Sequence, residues 1–335
     1  MMIYVWYPSD VTAAGRVAPY IPGWSQEKSR ISESVKRALG DGTAYCALEQ
    51  DRLLLHAIDD APVAAALPRY PVLLFSHGTA VASLTYAAQH EELASHGYVV
   101  VAIEYTPATN SFIVFPDGRT VRFDPNRWEN PGKNAEEILQ WEKNQIEELA
   151  TAFAFVLDEL VRMDDQSTEP HLLRNRMDFS NVGAFGHSYG GMGALRATQL
   201  DERIKSGLGQ DASSNGMRAF ASDRLAKPFA LMFRQLPDSY TETKDSISRL
   251  FSALSKNGIL LTINGPQIEH LSFSDLVFLR NFDDPDKRAD ATRNLQIIRE
   301  ITRRFFDVHL KNQPMALLDR AVKEYPEIAI DRRAN

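Results

Sequence analysis

The stretch from Val182 to Gly193 constrains this chain more than any other. A short apolar run, Val182-Gly183-Ala184-Phe185, leads directly into Gly186-His187-Ser188-Tyr189-Gly190, and a small-residue helix start follows at Gly191-Met192-Gly193. Gly-x-Ser-x-Gly between a strand and a helix is a nucleophile elbow. A serine at so sharp a turn sits in a strained backbone conformation, with its hydroxyl held above the sheet. Glycine at 186 and 190 leaves room where a Cβ would strike the neighbouring strand and helix. The following helix N-terminus aims its free N–H groups at the reacting oxygen. The bare pattern also arises by chance as a glycine-rich turn, and the flanking strand and helix argue against that here.

The chain upstream supplies a matching scaffold. Tyr70-Pro71-Val72-Leu73-Leu74-Phe75 is a continuous apolar run, expected of a parallel strand buried on both faces. Residues 83–96 suit a helix closed by Gly97, and Tyr98 to Ile103 form the next buried strand. Strand, helix, strand is a βαβ unit. Downstream, strands are expected at 204–211, 229–233 and 258–263, the last of the clear ones, with helices at 239–256 and about 290–311. Residues 137–162 read as a long amphipathic helix whose stripe of Leu149, Phe153, Val156 and Leu160 is core rather than a lipid-binding face. The fold class is therefore α/β, an α/β-hydrolase fold with a mostly parallel central sheet and helices on both faces.

The 335 residues are read as one domain, 1–335, with two excursions. Residues 9–62 form a covering segment, containing a helix from Gln26 to Leu39 and a short strand at 53–56. Residues 106–135 contain a hairpin, Phe112 to Phe115 and Thr120 to Phe123 about Pro116-Asp117-Gly118. The hairpin leaves from the C-terminal end of a strand, where open sheets bind ligands, and is either an active-site flap or a surface ornament. Residues 3–7, stopped by Pro8, suit an edge strand and lack the features of a signal peptide. The compartment stays open: cytoplasmic, or secreted with a leader removed.

Lys and Arg number 37 against 44 Asp and Glu, a net charge of −7, and no basic stripe is visible, which argues against a nucleic-acid partner. No apolar run is long enough to span a membrane, while peripheral lipid contact stays open. Cys46 is the only cysteine, so no intrachain disulfide can form, and it is expected to be a small core residue without chemistry.

A serine needs a base within hydrogen-bond reach and a third group to orient that base. The chain order in this fold is Ser, then Asp or Glu, then His. Beyond Ser188 and its neighbour His187 only His270 and His309 remain. His270 lies just past the last strand, where the nucleophile emerges, and is expected to be the base. His309 lies inside a helical pattern. For the acid, Asp211 ends the strand after the elbow unit, Asp238 follows the next strand, and Asp223 is a third candidate. The oxyanion hole is expected from the N–H of Tyr189 and, from the loop Ser76-His77-Gly78-Thr79, the N–H of Thr79. His77 and His187 read as hydrogen-bonding supports.

Several short segments, in order across most of the chain, carry a family resemblance. They are Val5-Trp6-Tyr7-Pro8, Phe75-Ser76-His77-Gly78, Leu93-Ala94-Ser95-His96-Gly97-Tyr98, Gly186 to Gly191, Gly207-Leu208-Gly209-Gln210-Asp211-Ala212 and Gln267 to Asp275. Together they resemble the plasma-type (group VII) platelet-activating-factor acetylhydrolases. The resemblance implies a metal-independent Ser-Asp-His triad without cofactors: Ser188 as nucleophile, Asp211 rather than Asp238 as acid, His270 as base, and oxyanion donors at Thr79 and Tyr189. Tyr189 stands where Phe is usual, and residues 9–62 and 112–123 have no counterpart that can be placed. The implied activity is hydrolysis of short acyl esters, on a phospholipid or a simpler small-molecule ester, through an acyl-enzyme. Rival readings are a polyester (cutinase-like) or thioester hydrolase on the same scaffold, and an idle hydrolase fold that only binds.

Overall fold

The computed structural model describes residues 1–10, 15–105, 112–122, 132–166, 171–220, 224–255 and 257–333. Its strands are β1 (Met2–Trp6), β2 (Val17–Pro19), β3 (Leu54–Ile58), β4 (Tyr70–Ser76), β5 (Val99–Glu104), β6 (Phe112–Val114), β7 (Thr120–Arg122), β8 (Met177–His187), β9 (Ile204–Gln210), β10 (Phe229–Arg234), β11 (Gly258–Ile263) and β12 (Ile328–Arg332). The helices are α1 (Trp24–Leu39), α2 (Thr43–Glu49), α3 (Ala87–Ser95), α4 (Ala135–Gln166), α5 (Tyr189–Leu200), α6 (Ser214–Phe220), α7 (Thr241–Ala253), α8 (Leu276–Arg280), α9 (Pro285–Leu310) and α10 (Ala316–Glu324).

Eight strands form one sheet in the order β1-β5-β4-β8-β9-β10-β11-β12. The six inner strands run parallel, and β1 and β12 close the two edges antiparallel. Strands β4 and β5 are buried along their whole length because helices cover both faces. Their side chains alternate between the two layers. Leu73 and Phe75 join a core with Phe305 and Phe306 of α9. Val72 and Leu74 join another with Leu149, Phe153, Val156 and Leu160 of α4. The apolar stripe of α4 is thus packed against the sheet. This is the α/β-hydrolase arrangement, with Ser188, Asp211 and Arg234 all at the C-terminal ends of adjacent parallel strands.

Departures from the sequence reading have local causes. The helix expected over 83–96 is divided: a 3-10 turn spans Ser83–Tyr86 before α3, and the buried Glu104 carboxyl group accepts from the Ser83 N–H and hydroxyl at its start, at 2.8 and 2.5 Å. Helix α9 starts earlier than expected, at Pro285, where Asp284 caps the Lys287 N–H and proline occupies the first turn. Strand β11 is not the last: α10 and β12 follow it. Cys46 is exposed, not core. Helix α2 buries Ala44 and Leu48, four residues apart on one face, which turns position 46 to solvent.

The expected hairpin forms between β6 and β7, with Val114 opposite Thr120 and Gly118 at φ 82° in the turn. Ile113 and Val114 are buried, and Val114 lies against Gly23 at the start of α1. The hairpin is therefore packed onto the segment that precedes β3, and that segment buries Tyr20, Ile21, Trp24, Val35 and Leu39 in the α9-side core. Residues 106–111 and 123–131 of the expected excursion lie outside the described residues, as do 11–14. No helix among the described residues is long and apolar enough to cross a membrane.

Candidate active site

Ser188 joins β8 to α5 with φ 56° and ψ −121°, a conformation that L side chains rarely adopt. The turn is held from the β9 side of the sheet. Ser188 N–H donates to the Gln210 carbonyl at 2.9 Å, and Ser213 N–H donates to the Ser188 carbonyl at 3.2 Å. The glycines are steric necessities. A Cβ on Gly190 would stand 2.2 Å from the Ser76 carbonyl oxygen and 2.5 Å from that of His77. A Cβ on Gly186 would meet the Gly190 backbone at 2.4 Å.

Asp211 is the first residue beyond β9, at φ 40°, with its N–H on the Met232 carbonyl of β10 at 2.7 Å. Its carboxylate is buried, and one oxygen, Oδ2, receives two donors: His270 Nδ1 at 2.6 Å and Arg234 Nε at 3.0 Å. Arg234, from the end of β10, was not singled out in the sequence, where nothing distinguishes it from any other strand-terminal arginine. His270 opens a 3-10 turn, His270–Phe273, whose N-cap Glu269 and Ser272 form a reciprocal capping box. Its ring is half-exposed and lies 4.4 Å from that of His187, the residue beside Ser188.

The other acid candidates are elsewhere. Asp238 is fully exposed and binds Lys244 Nζ at 2.8 Å, which holds its carboxyl below the usual range. Asp223 lies outside the described residues. His309, in the last turn of α9, packs on Phe305, and burial lowers it to about 4.

The loop after β4 passes directly beside the serine. A Cβ on Gly78 would lie 3.2 Å from both the Ser188 Cβ and His187 Nδ1. His77 is buried, and burial lowers it to about 4, so the neutral ring donates through Nδ1 to the Gly78 carbonyl at 2.7 Å. Because the peptide is planar and trans, fixing the Gly78 C=O also fixes the opposite direction of the Thr79 N–H. His187 is buried too. Desolvation, reinforced by the neighbouring His270, holds it well below the ordinary histidine value. Its Nδ1 and the Tyr86 hydroxyl share a hydrogen bond of 2.8 Å. Among the described residues no group of three or more His, Cys, Asp or Glu could hold a metal ion.

Beneath the site a buried amide network ties the elements together. Gln89 of α3 donates to the Phe273 carbonyl at 2.6 Å, and Gln210 donates to Gln89 at 2.7 Å and to Thr302 of α9 at 3.0 Å. It links the strand before Asp211 to the turn carrying His270. Neither glutamine carries a sequence signal, since each gains its meaning only from partners far away in the chain.

The profile of the family described as platelet-activating factor acetylhydrolase, isoform II, matches residues 1–282. A dog platelet-activating factor acetylhydrolase is 25% identical over 225 residues, which cover 63% of this chain and 49% of that protein. A probable 1-alkyl-2-acetylglycerophosphocholine esterase from Arthroderma benhamiae is 21% identical over 274 residues, covering 77% of this chain and 65% of its own length. The chain spans about half the length of the mammalian relatives it matches. Among solved structures, a ferulic acid esterase from Streptomyces cinnamoneus superposes with a TM-score of 0.71 at 23% identity, covering 98% of this chain and 88% of the esterase.

Proposed function

The chain belongs to the platelet-activating factor acetylhydrolase, isoform II, family, and from that premise we propose that it is a serine ester hydrolase. Ser188 attacks the ester carbonyl. His270 takes the hydroxyl proton through Nε2, while Nδ1 stays on Asp211, which orients the ring and stabilises the imidazolium. The N–H groups of Thr79 and Tyr189 receive the oxyanion. The imidazolium returns the proton to the leaving alcohol. Water, activated by the same histidine, then releases the acyl group from Ser188. The observation that carries this reading is the 2.6 Å contact between His270 and Asp211 beside a serine in the elbow conformation. Burial lowers the proton affinity of His77 and His187, which makes them poor bases, whereas His270 reaches solvent.

The substrate we infer is a short acyl ester, acetyl above all, on a phospholipid or a simpler alcohol. Hydrolysis of p-nitrophenyl esters from acetate to palmitate, by the wild type, Ser188→Ala and Asp211→Asn, tests both parts. The expected result is a preference for short chains, no turnover with Ser188→Ala, and a loss on the order of 10³–10⁴-fold with Asp211→Asn. Activity rising with chain length would replace the acetylhydrolase reading by that of a lipase or polyester hydrolase. Full activity in Asp211→Asn would remove Asp211 from the mechanism.

A further inference from the structure

Tyr86 has no part in the mechanism above, yet its hydroxyl is built into the loop beside the nucleophile. The side chain is fully buried, with its ring 4.8 Å from that of Phe75. The hydroxyl touches two groups: it lies 2.8 Å from His187 Nδ1, and the Gly78 N–H donates to it at 3.3 Å. A backbone N–H can only donate, so the Tyr86 oxygen is the acceptor of the Gly78 bond. The hydroxyl proton is then available to His187 Nδ1, which accepts it in the tautomer that carries the ring proton on Nε2. In that tautomer the chain of donors runs one way: Gly78 N–H to Tyr86 O–H to His187 Nδ1.

Gly78 is otherwise the freest residue of the loop, because glycine has the widest backbone range. With its carbonyl on His77 and its N–H on Tyr86, the peptide planes on both sides are pinned. Tyr86 is itself held firmly. It ends the 3-10 turn anchored by Glu104 on Ser83, and the neighbouring Thr85 carbonyl accepts the Asp275 N–H at 2.7 Å.

We propose that Tyr86 is a positioning residue for ester hydrolysis, whose hydroxyl ties the loop 76–79 to His187 and thereby aims the Thr79 N–H at the oxyanion formed on Ser188. The inference rests on the serine-hydrolase reading of the site. It concerns transition-state stabilisation and not substrate binding, so removing the hydroxyl acts on kcat and leaves KM nearly unchanged.

The test compares p-nitrophenyl acetate with p-nitrophenyl thionoacetate, whose sulfur is a poor acceptor for oxyanion donors. In Tyr86→Phe, kcat for the oxo-ester is expected to fall at least tenfold with KM within threefold, and the thionoester to fall by no more than about twofold. The oxo-to-thiono ratio therefore drops at least fivefold. An equal loss on both esters, or no loss on either, overturns the proposal. If Tyr86→Phe does not fold, Tyr86→4-aminophenylalanine replaces it. That variant keeps a donor toward His187 but is a poorer acceptor for Gly78, so the ratio is expected to fall by an intermediate amount, and an unchanged ratio overturns the proposal. Wild-type turnover that survives Ser188→Ala sinks the parent reading. Turnover lost in Ser188→Ala but untouched in Tyr86→Phe sinks the tyrosine inference alone.

Discussion

Gly190→Ala is the substitution whose effect the packing determines most directly. The added Cβ meets three backbone atoms: the Ser76 oxygen at 2.2 Å, the His77 oxygen at 2.5 Å and the Ser76 carbonyl carbon at 2.6 Å. Ordinary contact begins near 3.4 Å, so each is about 1 Å too close. None belongs to a side chain that can rotate away. The start of α5 and the end of β4 must move apart, an overpacking cost of about 3 kcal/mol. Unfolding entropy scales to about 0.7 kcal/mol per kelvin for a chain of this length, so Tm is expected to fall by about 4 °C. The displaced carbonyls belong to the loop that carries Thr79 N–H, so ester turnover is expected to fall about 10- to 100-fold. Gly209→Ala is the control. Its new Cβ would meet the Gly191 oxygen at 3.3 Å and the Phe229 ring at 3.6 Å, which asks for shifts of tenths of an ångström. Calorimetry and p-nitrophenyl acetate hydrolysis on both variants decide the matter. A Gly190→Ala protein with wild-type Tm and full turnover would refute the argument that this close approach shapes the elbow.

Three further outcomes follow from buried polar groups. Burial raises Glu104 to about 8. The folded state therefore holds that proton more tightly than the unfolded chain, and the associated stability is complete below the unfolded pKa and lost as pH rises through about 8. The Tm of Glu104→Gln minus that of the wild type should accordingly grow from pH 4.5 to pH 8.5, and a constant difference would contradict it. His90 is fully buried among Trp6, Phe75 and Phe185, burial lowers it to about 3, and neither ring nitrogen has a hydrogen-bond partner among the described residues. His90→Leu is expected to leave Tm unchanged or raise it by up to about 4 °C, since an unsatisfied buried polar group costs about 1–3 kcal/mol; a clear fall in Tm contradicts this. The Tyr20 hydroxyl meets the buried Asp275 carboxyl at 3.0 Å, tying the segment before β3 to the region following His270. Tyr20→Phe should lower Tm by about 2–4 °C, and combination with Asp275→Asn should be less than additive.

The Gly-x-Ser-x-Gly elbow was legible because its sequence pattern is local. Strand, glycines, serine and helix start are contiguous, although the carbonyls that Gly190 makes room for, those of Ser76 and His77, come from the end of β4. The same holds for β4 and β5, whose unbroken apolar runs announce burial on both faces, and for the stripe of α4. By contrast, Asp211 and Asp238 both follow parallel strands and look equivalent in one dimension. They separate in space: Asp211 is buried on His270 and Arg234, while Asp238 stands in water on Lys244. Cys46 faces solvent because its own helix buries Ala44 and Leu48. Strand β12 has too weak a pattern to be seen alone and exists through its pairing with β11. The Gln89–Gln210–Thr302 network and the Tyr86 contacts are likewise invisible along the chain. By itself, then, the sequence determined this protein's periodic elements and its elbow, because backbone sterics and hydrophobic alternation act over a few residues. Only the tertiary structure decided which polar groups lose water together. At Asp211 that selection depends on partners 23 and 59 residues away in the chain, and it sets both the partners of each charge and the cost of leaving one without any.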